Sequence, residues 1–567
     1  MKTKMVCLED GITSCGFRKM ASYVAQLEPD TESCYITTTS RWRSVRGALA
    51  GTIGNKPIIG DDEIDEMAQG LKDAELIGYS SMTGYADLTR RVIKRVRELS
   101  PDTYQIWGGI HPIIQPEDAI LADVDAICTG EGEFAFEEFY NALKEGRDPT
   151  NTKNFWFKAT RHLNANGTHA NGEIIKNHFL PLMSVQEMEQ LPFPQYGAER
   201  EVIYVPGDGF VPMGYADYIA NDGLSYMTLW SIGCPFHCSY CGNTKFIAND
   251  AKYKRIRHPS AQYMVDQVKD ARSRFPHLSH VSFNDDSFMA IPYGQLEEFA
   301  ELWRSQLGIP FAVYGVIPNY VRQDKFELLS WAGMNRVRMG IQSGSQAMLD
   351  FYKRPTPPEK VRNAGKVIAS FAPRYHIPGA YDIIMDNPIE TRDDVKATLQ
   401  LLYDMDRPYT LLIYSLKVIP NTGLEAAMKE RGLDVDAIDD SYLIVPPRVA
   451  NLLLYVLALW RPPPFVWRRM MKRVRASHEP QKLYPRLGLV LRAAYLTKRA
   501  LSHVRVMDFS ITPGKTGYFF WRVGLVGFWQ KRLWRRPQRP KRTARKPPEV
   551  AGAVLQVIAP EGVETSS

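Results

Sequence analysis

Three cysteines, Cys234, Cys238 and Cys241, stand at C-x3-C-x2-C spacing in "SIGCPFHCSYCGNTKF". Thiolates gathered so closely on one loop are ligands for a thiophilic metal or an iron–sulfur cluster. A four-iron cluster takes four thiolates, yet no cysteine follows Cys241 in the chain. A cluster held by these three would keep one iron open, and an open metal position serves chemistry rather than electron storage. The residues leave two other readings standing: a zinc site completed by His237, and a group of inert buried thiols. Cys7, Cys15, Cys34 and Cys128 are scattered among apolar runs and read either as a second cluster or as small buried hydrophobes.

Such a loop needs a scaffold. It closes a strand-like run, Tyr226 to Ile232, and similar runs recur at His280 to Phe283, Phe311 to Gly315, Arg336 to Ile341, Gly379 to Met385 and Leu411 to Val418. Polar or glycine-containing residues follow each of them, among them "NDDSF", "QSGS" and "DNPIET". Six strands alternating with helices predict a partial barrel whose site lies at the carboxyl ends of the strands, so these residues share one cavity with the cysteines. Asp382 and Asp386 fall on one face of one strand; they point into the cavity or serve as hydrogen-bonded structural carboxylates.

The N-terminal part predicts a doubly wound parallel sheet, with strands at Lys4 to Leu8, Ser33 to Thr37, Glu75 to Tyr79, Thr103 to Trp107 and Ala126 to Cys128 and a helix at Tyr85 to Leu99. Three of its loops, "SSMTG" (Ser80 to Gly84), "GGIHP" (Gly108 to Pro112) and "TGEGE" (Thr129 to Glu133), are small and glycine-rich. In an open parallel sheet they line one crevice that a large flat or phosphate-bearing ligand can approach closely, or they are merely tight turns.

The C-x3-C-x-aromatic-C run, with Tyr240 as the aromatic, resembles the radical S-adenosylmethionine (SAM) superfamily. The resemblance implies a [4Fe-4S] cluster on Cys234, Cys238 and Cys241 whose open iron chelates SAM and generates a 5′-deoxyadenosyl radical. It further implies that "FNDDSF" meets the amino acid end of SAM through Asp285 and Asp286, that "MGIQSGS" meets the ribose through Gln342 and Ser343, and that "GAYDIIMDNPIET", with Asp382, lies beside the adenine. "WGGIHPIIQPEDAI" and "VDAICTGEGEFAFEEF" are similar to the cobalamin-binding domain in the B12-dependent branch of the superfamily, that of class B methylases and the anaerobic porphyrin-ring cyclase. That implies a corrin held by Ser80, Ser81, Gly108, Gly109, His111, Gly130, Glu131 and Gly132. The chain lacks the early D-x-H-x-x-G histidine that ligates cobalt in other cobalamin proteins, and His111 reads as a loop residue shaping the crevice.

Length and charge set the frame. The 567 residues, 44% hydrophobic, suffice for several cored domains, and seven cysteines are too few for a disulfide framework. No apolar leader precedes the first acidic residues, which points to the cytoplasm. From Ser441 onward about 24 Lys and Arg face about 5 Asp and Glu. "VANLLLYVLALW" is too short to span a membrane, and the aromatic and arginine mixture beyond it suits a substrate-capping helical domain, a peripheral contact at the inner membrane surface, or an acidic partner, nucleic acid being the least favoured. The expected division is a cobalamin-binding-like domain at 1–150, a linker at 151–222, a radical SAM barrel at 223–430, a helical domain at 431–530 and a basic disordered tail at 531–567. The function expected is methylation of an unactivated carbon of a small molecule, with a flavodoxin or ferredoxin as electron donor. Radical cyclisation or rearrangement without methyl transfer is one alternative; a non-catalytic metal-binding protein that docks on membrane or nucleic acid is the other.

Overall fold

A computed structural model of the chain describes residues 1–9, 11–37, 59–158, 173–372, 376–433, 435, 445–510, 514–534 and 539. The first sheet contains β1 (Thr3–Glu9), β2 (Glu32–Thr37), β3 (Leu76–Ser81), β4 (Tyr104–Gly108), β5 (Ala126–Cys128), β6 (Phe155–Lys158), β7 (Ile174–Lys176), β8 (Glu201–Val205) and β9 (Gly209–Pro212), in the order β7-β6-β5-β4-β3-β1-β2-β8-β9. The ladders are parallel from β5 through to β8, and β6, β7 and β9 attach antiparallel at the edges. Both faces are covered: Met5 and Cys7 pack into one core while the alternating Val6 and Leu8 pack into another. The strand order reverses between β1 and β3, the switch point at which open α/β sheets bind ligands.

Residues 151–222, expected as a linker, hold the four strands β6 to β9 of that sheet. A buried fastener secures β8. Glu201 accepts from Arg18 Nη1 at 2.6 Å, from the Tyr35 hydroxyl at 2.9 Å and from the N–H groups of Gly197 and Ala198 at 2.6 and 2.8 Å. A buried ion pair is stable only when its remaining lone pairs are satisfied in this way. Strands of three to five residues are too short to print a period-2 pattern on the sequence.

The second sheet is fully parallel with its strands in sequence order: β10 (Ser225–Thr228), β11 (His280–Phe283), β12 (Phe311–Val316), β13 (Met334–Gln342), β14 (Gly379–Met385) and β15 (Tyr409–Ser415). With the helices between them they form the expected six-stranded partial barrel. Two strands end early: β15 at Ser415, three residues short of the run read from the sequence, and β10 at Thr228, four residues short. The Asp285 carboxylate takes the N–H groups of Trp230 and Ser231, at 3.0 and 2.5 Å, that a longer ladder would use. Ile232 then bridges to Arg257, and the chain leaves the sheet to make the cysteine loop. Gly315, at φ +62°, lets β12 pass under the Asp285 carbonyl, where a Cβ would lie 1.9 Å from that oxygen.

Five further helices follow, Val449–Leu459, Pro464–Met471, Pro485–Val504, Gly514–Arg522 and Leu525–Trp534. Val449–Leu459 is apolar because the fold buries it, and among the described residues no helix is long and apolar enough to cross a membrane. The helix Pro485–Val504 runs along the β15 side of the barrel, from Pro447 near its carboxyl end to its amino-terminal end, where the last two helices pack. There Tyr495 accepts from the N–H of Leu411 at 3.2 Å, Arg505 donates to the carbonyls of Ala372 and His376 at 2.9 and 2.5 Å, and Gln530 donates to that of Ser279 at 3.1 Å. Asp508 is buried beneath them, with Arg336 Nη1 at 3.4 Å and His280 Nε2 at 3.6 Å. Of the tail expected at 531–567, residues 531–534 belong to the last helix, and 535–538 and 540–567 lie outside the described residues.

Candidate active site at the barrel mouth

The cysteine loop projects from the carboxyl end of β10. Cys234 and Cys238 are buried and Cys241 is half-buried. Two of the sulfurs already have hydrogen-bond donors: the Ser287 hydroxyl lies 3.2 Å from Cys234 Sγ, and Arg354 Nη1 lies 3.7 Å from Cys238 Sγ. Burial pushes the thiols of Cys234 and Cys241 up, that of Cys241 to about 12, so these thiols release their protons only to a strong compensating charge such as a metal's. Arg354 is buried at this loop and forms no ion pair with a carboxylate among the described residues. It also donates from Nη1 to the Tyr240 hydroxyl at 3.0 Å and from Nη2 to the Gly340 carbonyl at 2.5 Å, while its Nε has no partner among the described residues. Gln342, at φ +71°, folds its amide over Gly340 beside this guanidinium. Asp286 faces the opening and accepts from Asn243 at 2.9 Å; solvent reaches its carboxylate, yet the surrounding protein still raises its pKa.

The crevice of the first sheet abuts this loop. The residues after β4 form a short helix, Ile110–Ile114, whose last carbonyl accepts from Asn421 Nδ2 at 2.9 Å, and Ile114 Cδ1 would lie 3.1 Å from a Cβ at Gly242, next to Cys241. After β5, Glu131 accepts from Arg257 Nη2 at 2.6 Å. Because Arg257 also pairs with Ile232, this ion pair ties a crevice loop to the strand that enters the cysteine loop. Met82 and Ile110 expose their side chains at the rim of the crevice, Gly84 has open space where a Cβ would stand, and the buried Thr83 hydroxyl lacks a partner among the described residues.

Residues 229–402 match the Radical SAM superfamily, and residues 52–140 match the B12 binding domain. The chain is a B12-binding-domain-containing radical SAM protein. It is 23% identical to an uncharacterized methyltransferase of Pyrococcus horikoshii over 59% of this chain and 66% of that one. It is 24% identical to the anaerobic magnesium-protoporphyrin IX monomethyl ester cyclase of Rubrivivax gelatinosus over 54% of this chain and 50% of that one. The chain thus spans about two thirds of the first relative's length and half of the second's. Among solved structures, the radical SAM methyltransferase TsrM of Kitasatospora setae, with cobalamin and a [4Fe-4S] cluster bound, shares the fold at a TM-score of 0.55 with 16% identity, covering 76% of this chain and 75% of that one.

A radical SAM domain calls for SAM and a [4Fe-4S] cluster, and a B12-binding domain for cobalamin. The donor set fits the cluster. Among the described residues no three His, Cys, Asp or Glu side chains approach closely enough to hold one ion, and His237 is exposed. A single zinc would draw its sulfurs within about 4 Å of one another, whereas a cluster presents a separate iron to each. The remaining cysteines form no second group of this kind; Cys7, Cys34 and Cys128 are buried in the cores. The apolar rim, the open Gly84 and the orphan Thr83 hydroxyl fit a corrin, whose broad face is apolar and whose periphery carries amides.

Several expected contacts fall elsewhere. Asp285 is buried and engaged with Trp230 and Ser231, so it braces the entry to the cysteine loop; burial raises its pKa to about 6. Ser343 is fully buried, with its hydroxyl 3.1 Å from that of Thr398, and it seats β13 against the helix Arg392–Asp404 instead of facing the ribose. Asp382 lies inside the barrel, held by Arg338 Nε at 2.8 and 2.9 Å. Asp386 is the structural carboxylate of that strand, tied to Ser415, Arg448 and Asn451. In the B12-binding domain His111 is fully buried, stacked on Trp107 and bonded through Nε2 to Asp118 at 2.9 Å, which takes it off the crevice lining. Ser81 is likewise buried and accepts from Trp107 Nε1 at 3.0 Å. Ser80, Gly108, Gly109, Gly130, Glu131 and Gly132 stay partly exposed along the crevice. Gly109, at φ +87°, packs so tightly that a Cβ would stand 2.8 Å from Ser80 Oγ. Sequence reasoning missed Arg354, Ser287 and Arg257 because single polar residues in loops leave no periodic pattern; Met82 and Ile110 lay in loops already singled out for their glycines.

Proposed function

We propose that the protein is a cobalamin-dependent radical SAM methylase acting on an unactivated carbon of a small molecule. The observation that carries this reading is the junction itself: the crevice loops after β4 and β5 press directly on the cysteine loop, so two cofactor sites open toward each other. Bound there, the cluster and SAM would supply a 5′-deoxyadenosyl radical, and cobalamin would supply a methyl carrier. Cys234, Cys238 and Cys241 hold the cluster, with Ser287 and Arg354 donating to its sulfurs. Arg354, buried and without an ion-pair carboxylate among the described residues, would meet the SAM carboxylate, and Asp286 at the opening would accept from the SAM amino group. Tyr240 fixes the guanidinium, and Gln342 lies where it reaches the ribose. Met82, Ile110 and Thr83 line the corrin side, while the Glu131–Arg257 pair holds the two sites at a set spacing. Electrons come from an external donor of the flavodoxin or ferredoxin kind.

The test is anaerobic turnover with methyl-labelled SAM and candidate metabolites. Label in the product together with 5′-deoxyadenosine and S-adenosylhomocysteine is expected, and alanine at any of the three cysteines removes the iron absorbance and all three signals. The match to the Rubrivivax cyclase favours a second reading, radical cyclisation or rearrangement. Deoxyadenosine formed with authentic substrate, but without label transfer or S-adenosylhomocysteine, replaces the first reading by the second.

A further inference from the structure

The C-terminal helices expose an unusual surface. Of eighteen large hydrophobic side chains that stand exposed among the described residues, twelve lie between Trp460 and Phe528, and none lies between Tyr215 and Trp460. The barrel therefore hides its apolar residues, and the helices beyond it do not. The concentration is ordered along the helix Pro485–Val504. Leu487, Val490, Leu501 and Val504 are 49, 63, 64 and 43% exposed, and their spacing of three and four residues, with Ala494 and Thr497 between, puts them on one stripe. The buried Tyr495 and His503 mark the opposite side. A mainly apolar groove of about 700 Å³ runs along the stripe, walled by Ala494 and Leu501 and by Ala372, Pro378 and Pro408 of the barrel.

Charge identifies the occupant. Residues 445–534 contain 17 Lys and Arg against two acids, Glu479 and Asp508, and Asp508 is buried in its network with Arg336 and His280. Phe465 has Arg468 and Arg469 within a turn of it, and Phe519 and Phe528 are flanked in sequence by Arg522, Lys531 and Arg532. Apolar side chains that stand in water, interleaved with cations and almost without acids, match one surface in particular: an anionic headgroup layer over hydrocarbon. Aliphatic residues such as Leu487 and Val490 gain nothing from a phosphodiester groove, which sets nucleic acid aside.

We propose that the exposed stripe of the helix Pro485–Val504, with the basic helices that follow it, seats the protein on an anionic phospholipid surface. This proposal is independent of the reaction catalysed.

The experiment is co-sedimentation of the full-length protein, iron-loaded and anaerobic, with sucrose-loaded vesicles of phosphatidylglycerol and phosphatidylcholine, compared with phosphatidylcholine alone. Binding to the anionic vesicles is expected to exceed binding to the zwitterionic ones at least tenfold at low salt and to weaken as salt rises. The quadruple variant L487N/V490N/L501N/V504N should lose at least tenfold in partitioning with unchanged iron content and melting temperature. Should that variant misfold, R486Q/R492Q provides the second arm: it removes only exposed or half-exposed charges and should reduce the preference for anionic vesicles several-fold. Equal partitioning of the wild type onto both vesicle types overturns the proposal, as does full binding by the folded quadruple variant. Retention on single-stranded RNA without vesicle binding would assign the surface to nucleic acid instead.

Discussion

Glu390 shows how much a single side chain can carry. It is 1% exposed, and neither carboxylate oxygen has a hydrogen-bond partner among the described residues. Burial, with Asp386 and Asp394 nearby, raises its pKa from 4.5 to about 8. The folded protein therefore keeps a proton that the unfolded chain has already released. Stability from this group is complete below about pH 4.5, declines as pH rises, and levels off above about pH 8. Each unit of pKa difference amounts to about 1.4 kcal/mol, so the decline can reach a few kcal/mol. Glu390→Gln should flatten it, giving a denaturation midpoint that changes less between pH 6 and pH 8.5 than that of the wild type. Parallel profiles for the two proteins would rule this out. Asp285, its counterpart at the barrel mouth, is raised only to about 6 because Trp230 and Ser231 donate to it.

At the level of elements, the crevice loops divide into those that pack and those that receive. Gly109 and Gly130 are glycine because neighbouring loops leave no room for a Cβ: Ser80 would clash with the first and the Asn154 side chain with the second. A bulky residue at either would break the turn and report nothing about a ligand. The receiving positions are Gly84 and Ile110, which stand open. Gly84→Trp and Ile110→Arg are expected to abolish cobalamin retention while iron content stays intact, read by the corrin absorbance of reconstituted protein. Thr83→Val should weaken retention about fivefold, the worth of one hydrogen bond to an otherwise unpaired buried hydroxyl. Unaltered cobalamin content in both bulky variants would move the corrin out of this crevice.

The whole molecule is closed from below by its own C-terminus. Asp508 sits among Arg336, His280 and His503, and Arg336 above all holds its carboxyl well below the usual carboxylate range despite full burial. Since its folded pKa is depressed, this stabilisation is present above about pH 4 and lost as pH falls below it. Asp508→Asn leaves Arg336 charged and unpaired inside the barrel, a loss of about 3–5 kcal/mol. The measurement is limited proteolysis: cleavage within the helices from Gly514 to Trp534 should accelerate before the barrel itself is cut. Simultaneous loss of both would mean that the plug and the barrel unfold as one unit.

The sequence by itself placed the residues that could do chemistry. Three cysteines with no fourth behind them, glycine loops after parallel strands, and six apolar runs each ending in polar residues specified the cluster loop, the crevice and the barrel, because these patterns are local and repeat with the period of the element that carries them. Strands such as His280–Phe283 and Gly379–Met385 were legible to the residue for that reason. Tertiary structure decided the roles of individual polar side chains. Asp285, Ser343 and His111 have the right types in the right segments, but burial and a neighbouring donor or acceptor turned each inward to hold the fold. Arg354, unremarked in its loop, was brought to the sulfur of Cys238 by the return of the chain after β13. Short strands such as β8 likewise depended on a partner far away in sequence, the Arg18 that meets Glu201. A motif records which residue types are near one another along the chain; only packing settles which of them face the cavity and which are consumed in building it.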